Sequence, residues 1–103
     1  MIDTKIEIGS IHIEGVLKLH KQEAAPDCTP EHCYVFSKEE DDTAKLYTVD
    51  SDGNETKISP HNQKGEWEYY CINRKTGKTI RINMEKMIRK LEEITGEKFI
   101  EEF

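Results

Sequence analysis

The chain has 103 residues and a mass of 12.0 kDa, with 35% hydrophobic and 35% charged residues, a formal net charge of -6 and a mean hydropathy of -0.79. That length fits one domain with a lean core, and no run approaches the ~18 apolar residues of a membrane span. Charges interrupt the N-terminal Met1-Ile2-Asp3-Thr4-Lys5-Ile6-Glu7, so no signal peptide is expected and a cytoplasmic location is.

Taken from the start, Ile2, Ile6 and Ile8 alternate as in a half-buried strand. Gly9-Ser10 breaks the parity, and Ile11, Ile13, Leu17 and Leu19 then alternate with His12, Glu14, Lys18 and His20, which predicts a second strand with its histidines in solvent. Residues 22–32 have loop composition, and Thr29-Pro30 suits a single helical turn. Cys33–Ser37 predicts a short strand, followed by an acidic connection over Lys38–Asp42.

Ala44–Val49 and Glu55–Ser59 flank Asp50-Ser51-Asp52-Gly53-Asn54, a hairpin signal. Glu66–Asn73 and Lys78–Asn83 flank Arg74-Lys75-Thr76-Gly77, a second hairpin. In its first arm Trp67, Tyr69 and Cys71 fall on one face, and Tyr70 and Ile72 on the other. Asn83 then suits an N-cap, Met84, Met87, Ile88, Leu91 and Ile94 recur at helical spacing, and Gly96 stands at the C′ position. The expected class is α+β: one domain over 1–103, an antiparallel meander of about six short strands forming a bent sheet or small open barrel, with one C-terminal helix packed on it.

Three cysteines argue against a disulfide framework. Cys28, His32 and Cys33, with Cys71 further on, offer zinc-type ligands, but the spacing is loose and no second Cys/His arm follows. The favoured reading is a buried Cys71 on the Trp67/Tyr69 face, with Cys28, His32 and Cys33 as ordinary loop residues; no metal or cofactor is expected. A nucleophilic Cys beside His32 would need an orienting group and an oxyanion site, and neither is visible. Asp50-x-Asp52-x-Asn54 opens like a calcium loop but has Glu55 and His61 where Gly and Glu are required. Glu66 with Glu68, and Asp3 with Glu7, are carboxylate pairs of a kind common in any acid-rich chain. No enzyme is predicted.

Charge is segregated: residues 1–60 carry a net of -7 and residues 61–103 a net of +1. Glu39, Glu40, Asp41, Asp42, Asp50 and Asp52 could form a surface complementary to a basic site on another protein, with Trp67, Tyr69 and Tyr70 as aromatic anchors. The leading expectation is therefore a small, acidic, non-enzymatic protein-binding module, an inhibitor or adaptor. The excess of Ile over Leu and Lys over Arg suits an AT-rich gene of a low-GC bacterium or its mobile element. The alternative is nucleic-acid binding through Arg74, Lys75, Lys78, Arg81, Arg89 and Lys90, in a stretch whose one acid is Glu85. The overall negative charge opposes that alternative. A zinc-stabilised Cys/His module is third. An exposed sheet edge would also permit a homodimer.

Overall fold

The structure, a computed structural model, describes residues 9–27 and 29–103. The strand expected over 2–8, the Asp3/Glu7 pair and Cys28 lie outside the described residues. Six strands and one helix follow in chain order: β1 (Lys21–Gln22), β2 (Tyr34–Glu40), β3 (Thr43–Val49), β4 (Asn54–Lys57), β5 (Glu68–Asn73), β6 (Thr79–Asn83) and α1 (Met84–Thr95). They form one open sheet in sequential order. The class is α+β, and no described helix is long and apolar enough to cross a membrane.

The pairing is not wholly antiparallel. β1 runs parallel to β2, with Lys21 level with Ser37, whereas the other four pairings are antiparallel. Strand β1 falls where a loop was expected, and the preceding Ile11–Leu19 run, expected as a strand, has no regular structure. Its alternation has no sheet face to serve: Ile11, Val16 and Leu17 are exposed, Val16 at 89%. Strand β2 extends through Lys38, Glu39 and Glu40, shrinking the acidic connection to Asp41-Asp42. Both aspartates have positive φ, 51° and 63°, the conformation a two-residue hairpin turn demands and that Asp tolerates better than most residues. Strand β4 stops at Lys57, because the Ile58 and Ser59 amides both donate to Leu46 O.

Register divides the side chains between two faces. On one face, Phe36, Tyr47 and Val49 form the buried apolar core, with the Phe36 and Tyr47 rings stacked at 5.8 Å. Glu55, Lys57 and Glu68 continue that face and are buried as well. The sheet curls around it far enough for Arg81 on β6 to reach Glu40 on β2 at 3.3 Å. We call this face concave. The opposite, convex face carries Tyr69, Cys71, Ile80 and Ile82, where Tyr69 pairs with Ile82 and Cys71 with Ile80.

The C-terminal helix starts and stops where the spacing predicts. Asn83 accepts the Lys86 amide at 2.9 Å, and Gly96 adopts φ 74° with its N–H on Glu92 O. It does not cover the sheet as expected: none of its residues is buried, and Met87, Leu91 and Ile94 remain exposed. Its start is tied to the sheet through the Glu85 amide, which donates to Trp67 O at 3.1 Å.

Candidate functional site: an aromatic groove on the convex face

The predicted acidic surface is divided by the fold. Asp41 and Asp42 sit at one end of β3 and Asp50 and Asp52 at the other, roughly 20 Å apart along seven residues of strand. Glu39 pairs with Lys21 at 2.6 Å, and that partner raises the Lys21 ammonium above its ordinary value. Glu40 turns into the concave face, where its Oε2 meets Lys57 Nζ at 2.6 Å as an ion pair without the alignment of a hydrogen bond. Lys57 Nζ also donates to Glu68 Oε2 at 2.7 Å and to the His61 carbonyl at 2.8 Å, with 1% of its side chain exposed. Arg81 Nε approaches Glu68 Oε1 at 3.4 Å, and its guanidinium lies 4.2 Å from the centre of the Tyr70 ring. Lys38 pairs with the buried Glu55 at 2.8 Å.

Strand patterning alone does not reveal this network. Alternating charge in Lys38/Glu40 and Glu55/Lys57 ordinarily marks a solvated strand face, and only the register of four strands turns it inward. It borders an open hollow of about 410 Å³ lined by Glu40, Glu66, Glu68, Arg81, Asn83 and Lys86. Glu66, held by Asn62 at 3.1 Å and Asn83 at 3.3 Å, is kept below the ordinary carboxylate value chiefly by the Asn62 amide. Each buried charge here faces an opposite charge, which is what holding a polar interior together requires.

The predicted basic set is also largely engaged within the molecule. Arg74 donates to the Pro26 carbonyl, Lys75 to Ser51 O at 3.2 Å, Arg89 contacts Glu102 at 2.8 Å, and Lys90 contacts Glu93 at 3.3 Å. Interaction with Glu102 first, then Glu85, raises the Arg89 guanidinium further above its ordinary value. Arg74, Lys75 and Lys78 share the β5–β6 hairpin tip, while Arg81 belongs to the concave network.

Among the predicted metal ligands, His32 uses Nδ1 toward the Pro30 carbonyl at 3.0 Å, and its ring stacks 6.4 Å from Tyr34. Cys33 is exposed just before β2, whereas Cys71, half-buried rather than buried as expected, lies on β5, beyond β3 and β4. Among the described residues no three His, Cys, Asp or Glu side chains gather as a metal site would need.

The structure places Asp50 and Tyr69 on one cavity, at separate ends of it, because Asn54, bonded to Asp50, pairs with Asn73, four residues along β5 from Tyr69. They line a groove of about 460 Å³ on the convex side, with Cys71 and Ile80 in its floor, Thr56 and Asn73 beside them, and Lys78 at its margin. Thr56 Oγ1 donates to Cys71 Sγ at 3.5 Å, and the neighbouring thiol pushes the Tyr69 phenol up. The Asp50 carboxylate accepts the Asp52 amide at 3.0 Å, the Asn54 amide at 2.9 Å and the Asn54 side-chain amide at 3.1 Å. Those bonds, the Asn54 backbone amide foremost, hold its carboxyl below the ordinary value of 3.8, so the groove carries a fixed negative charge. Gly53, at φ 86°, makes the turn that brings these donors round, which fits the hairpin reading of Asp50–Asn54. Trp67 lies two residues before Tyr69, its backbone bridged to His61, and Trp67 and Tyr69 are each 42% exposed. Tyr70 faces the other way, under Arg81.

Compared with protein-family models, curated proteins and solved structures, the chain matches none of them.

Proposed function

We propose that this chain is a non-enzymatic protein-binding module and that its docking surface is the convex groove of Asp50, Tyr69, Cys71 and Ile80, flanked by Trp67. One observation carries this reading. Trp67 and Tyr69 are each 42% exposed on the sheet face that also carries the groove, whose other end holds a carboxylate kept ionised by its own turn. Half-exposed Trp and Tyr are the residue types that anchor protein interfaces, and a bordering carboxylate selects a cationic neighbour. The partner's chemistry follows: an exposed segment of another protein with a bulky apolar side chain and, a groove's length away, a Lys or Arg. The aromatic anchor and the acidic turn at Asp50 and Asp52 thus act as one surface, while Glu39 and Glu40 serve the fold.

The test places a photo-crosslinking amino acid at Trp67 and, as a control, at Lys45, in lysate of the source cell with and without nuclease. The expected result is one crosslinked protein specific to position 67 and unaffected by nuclease, joined within a segment of the stated chemistry. With that partner purified, Tyr69→Ala should weaken binding by about 2 kcal/mol, and added salt should weaken it further. Equal labelling from both positions, or a partner whose binding ignores Tyr69→Ala, would refute the groove. Loss of the captured material with nuclease would instead favour the hairpin-tip residues Arg74, Lys75 and Lys78 as a nucleic-acid contact.

A further inference from the structure

We infer that β6 is a self-pairing edge, and that two copies of this chain join through it into one continuous twelve-stranded sheet.

The argument begins with the backbone. β6 pairs with β5 on one side and with no strand on the other among the described residues. The Asn73 amide donates to Lys78 O at 2.8 Å, which fixes the phase of the ladder. By antiparallel alternation, Lys78, Ile80 and Ile82 turn their N–H and C=O groups toward β5, and Thr79, Arg81 and Asn83 turn theirs outward. Little blunts this edge: Thr79-Ile80-Arg81-Ile82-Asn83 holds no proline, no bulge and no charge on its convex side, and its one inward charge, Arg81, is neutralised by Glu40 and Glu68. The helix does not cover it either, because the Glu85–Trp67 bond draws the helix start toward β5. The other edge, β1, is two residues long and offers no comparable template.

The sequence of β6 then selects a second copy over a foreign strand. Read about Arg81, it is close to a palindrome: Ile on either side, then Thr and Asn. A two-fold axis through Arg81 sets Ile80 opposite Ile82 of the second copy, twice, on the convex face. It also places outward-facing Arg81 opposite its counterpart and Thr79 opposite Asn83, the phase that antiparallel pairing needs. Asn83 C=O is committed to the helix it caps, so the join has four backbone hydrogen bonds: two between the Arg81 residues and two from Asn83 N–H to Thr79 C=O. The opposed arginines do not repel as bare charges. Each guanidinium is drawn into its own concave face by Glu40 and Glu68 and lies over Tyr70.

Charge does not drive the pairing. The register brings the hairpin tip, with Lys75 and Lys78, alongside the helix start of the second copy, where Lys86, Arg89 and Lys90 outnumber Glu85, the one acid of residues 73–90. The join therefore rests on the strand ladder and the Ile80–Ile82 contacts and should strengthen with added salt. A specific interface covers roughly 800 Å² per partner. A five-residue strand, ~17 Å long, supplies only part of that, so the tip and helix start belong to the interface.

The test is analytical ultracentrifugation of the full chain over a range of concentrations, without any partner protein. Expected is a reversible species of twice the 12.0 kDa chain mass. Ile82→Lys, and Thr79→Pro, whose ring occupies the second strand's place, should each weaken the dimer at least about tenfold while leaving the circular dichroism spectrum unchanged. If either variant misfolds, the wild type still decides: the Arg81 and Asn83 amides should exchange more slowly at high than at low protein concentration. A chain that stays monomeric, with Arg81 exchange independent of concentration, overturns the proposal, as does a dimer that both variants retain. Self-association is read here without Trp67 or Tyr69 being altered, so failure of the dimer and failure of the docking groove are separate results.

Discussion

Lys57 shows how a short polar strand can belong to the interior. Its ammonium meets two carboxylates and a carbonyl, so all three of its donors have an acceptor in reach. Burying such a charge is unfavourable unless it is paired, and unpairing a buried partner is more costly than the pair was worth. In Lys57→Met the aliphatic stem is kept, but Glu68, with 3% of its side chain exposed, retains only the longer contact to Arg81. The expected loss is about 3 kcal/mol, read as a lower urea midpoint. Combining it with Glu68→Gln should recover part of that loss, because the orphaned charge goes too. A Lys57→Met protein as stable as the wild type would mean that water, not Lys57, solvates these carboxylates.

At the scale of elements, the helix and the two hairpins were legible because their signals are local. Asn83 and Gly96 delimit the helix, Gly53 sits in one turn, and Gly77 ends the other with its N–H on Asn73 O. What sequence could not supply was long-range pairing. Ile11–Leu19 alternates like a strand yet pairs with nothing described, whereas Glu39 and Glu40, which look like loop, extend β2 because Lys21, Lys57 and Arg81 meet them from other elements. For the groove, the shared face of Trp67, Tyr69 and Cys71 followed from strand alternation, but the presence of Asp50 on the same groove required the β3–β4–β5 register. The helix end shows a further device hidden from sequence: Glu92 Oε2 accepts the Phe99 amide at 2.6 Å and the Ile100 amide at 2.9 Å, tying the tail back. The Ile100 bond, then the Phe99 bond, lowers the Glu92 carboxyl below its ordinary value of 4.5. A lowered folded value means that the stabilisation is complete above the unfolded value and is lost as pH falls through the folded one. The Phe99 and Ile100 amide chemical shifts should therefore hold steady from neutral pH down to about 5 and then move together as the carboxylate is protonated. In Glu92→Ala both should sit at the released position at every pH; shifts that ignore either change would show that the tail is held by other contacts.

Across the whole molecule, order is unevenly distributed. The radius of gyration is 17.2 Å, against about 13 Å for a compact chain of this length, and the extents are 53 × 38 × 29 Å. Stability is concentrated on the concave face, where Phe36, Tyr47 and Val49 adjoin the ion-pair network. Tyr47 is buried enough that desolvation, reinforced by Glu40, pushes its phenol well above the ordinary range. Residues 9–20, by contrast, are exposed throughout and belong to no strand or helix. Proteolysis reads this difference, because a protease needs a stretch of chain that opens at little cost. Trypsin should therefore cut after Lys18 before it cuts after Lys64 or Lys75, which lie in hydrogen-bonded turns. Lys57 and Arg81, locked in the network, should be cut last. The product beginning at Leu19 keeps β1 and every strand after it, so its circular dichroism and melting temperature should stay close to those of the intact chain. First cleavage at Lys64 or Lys75, or loss of the sheet signal once Lys18 is cut, would show instead that the segment before Leu19 contributes to the stability of the sheet.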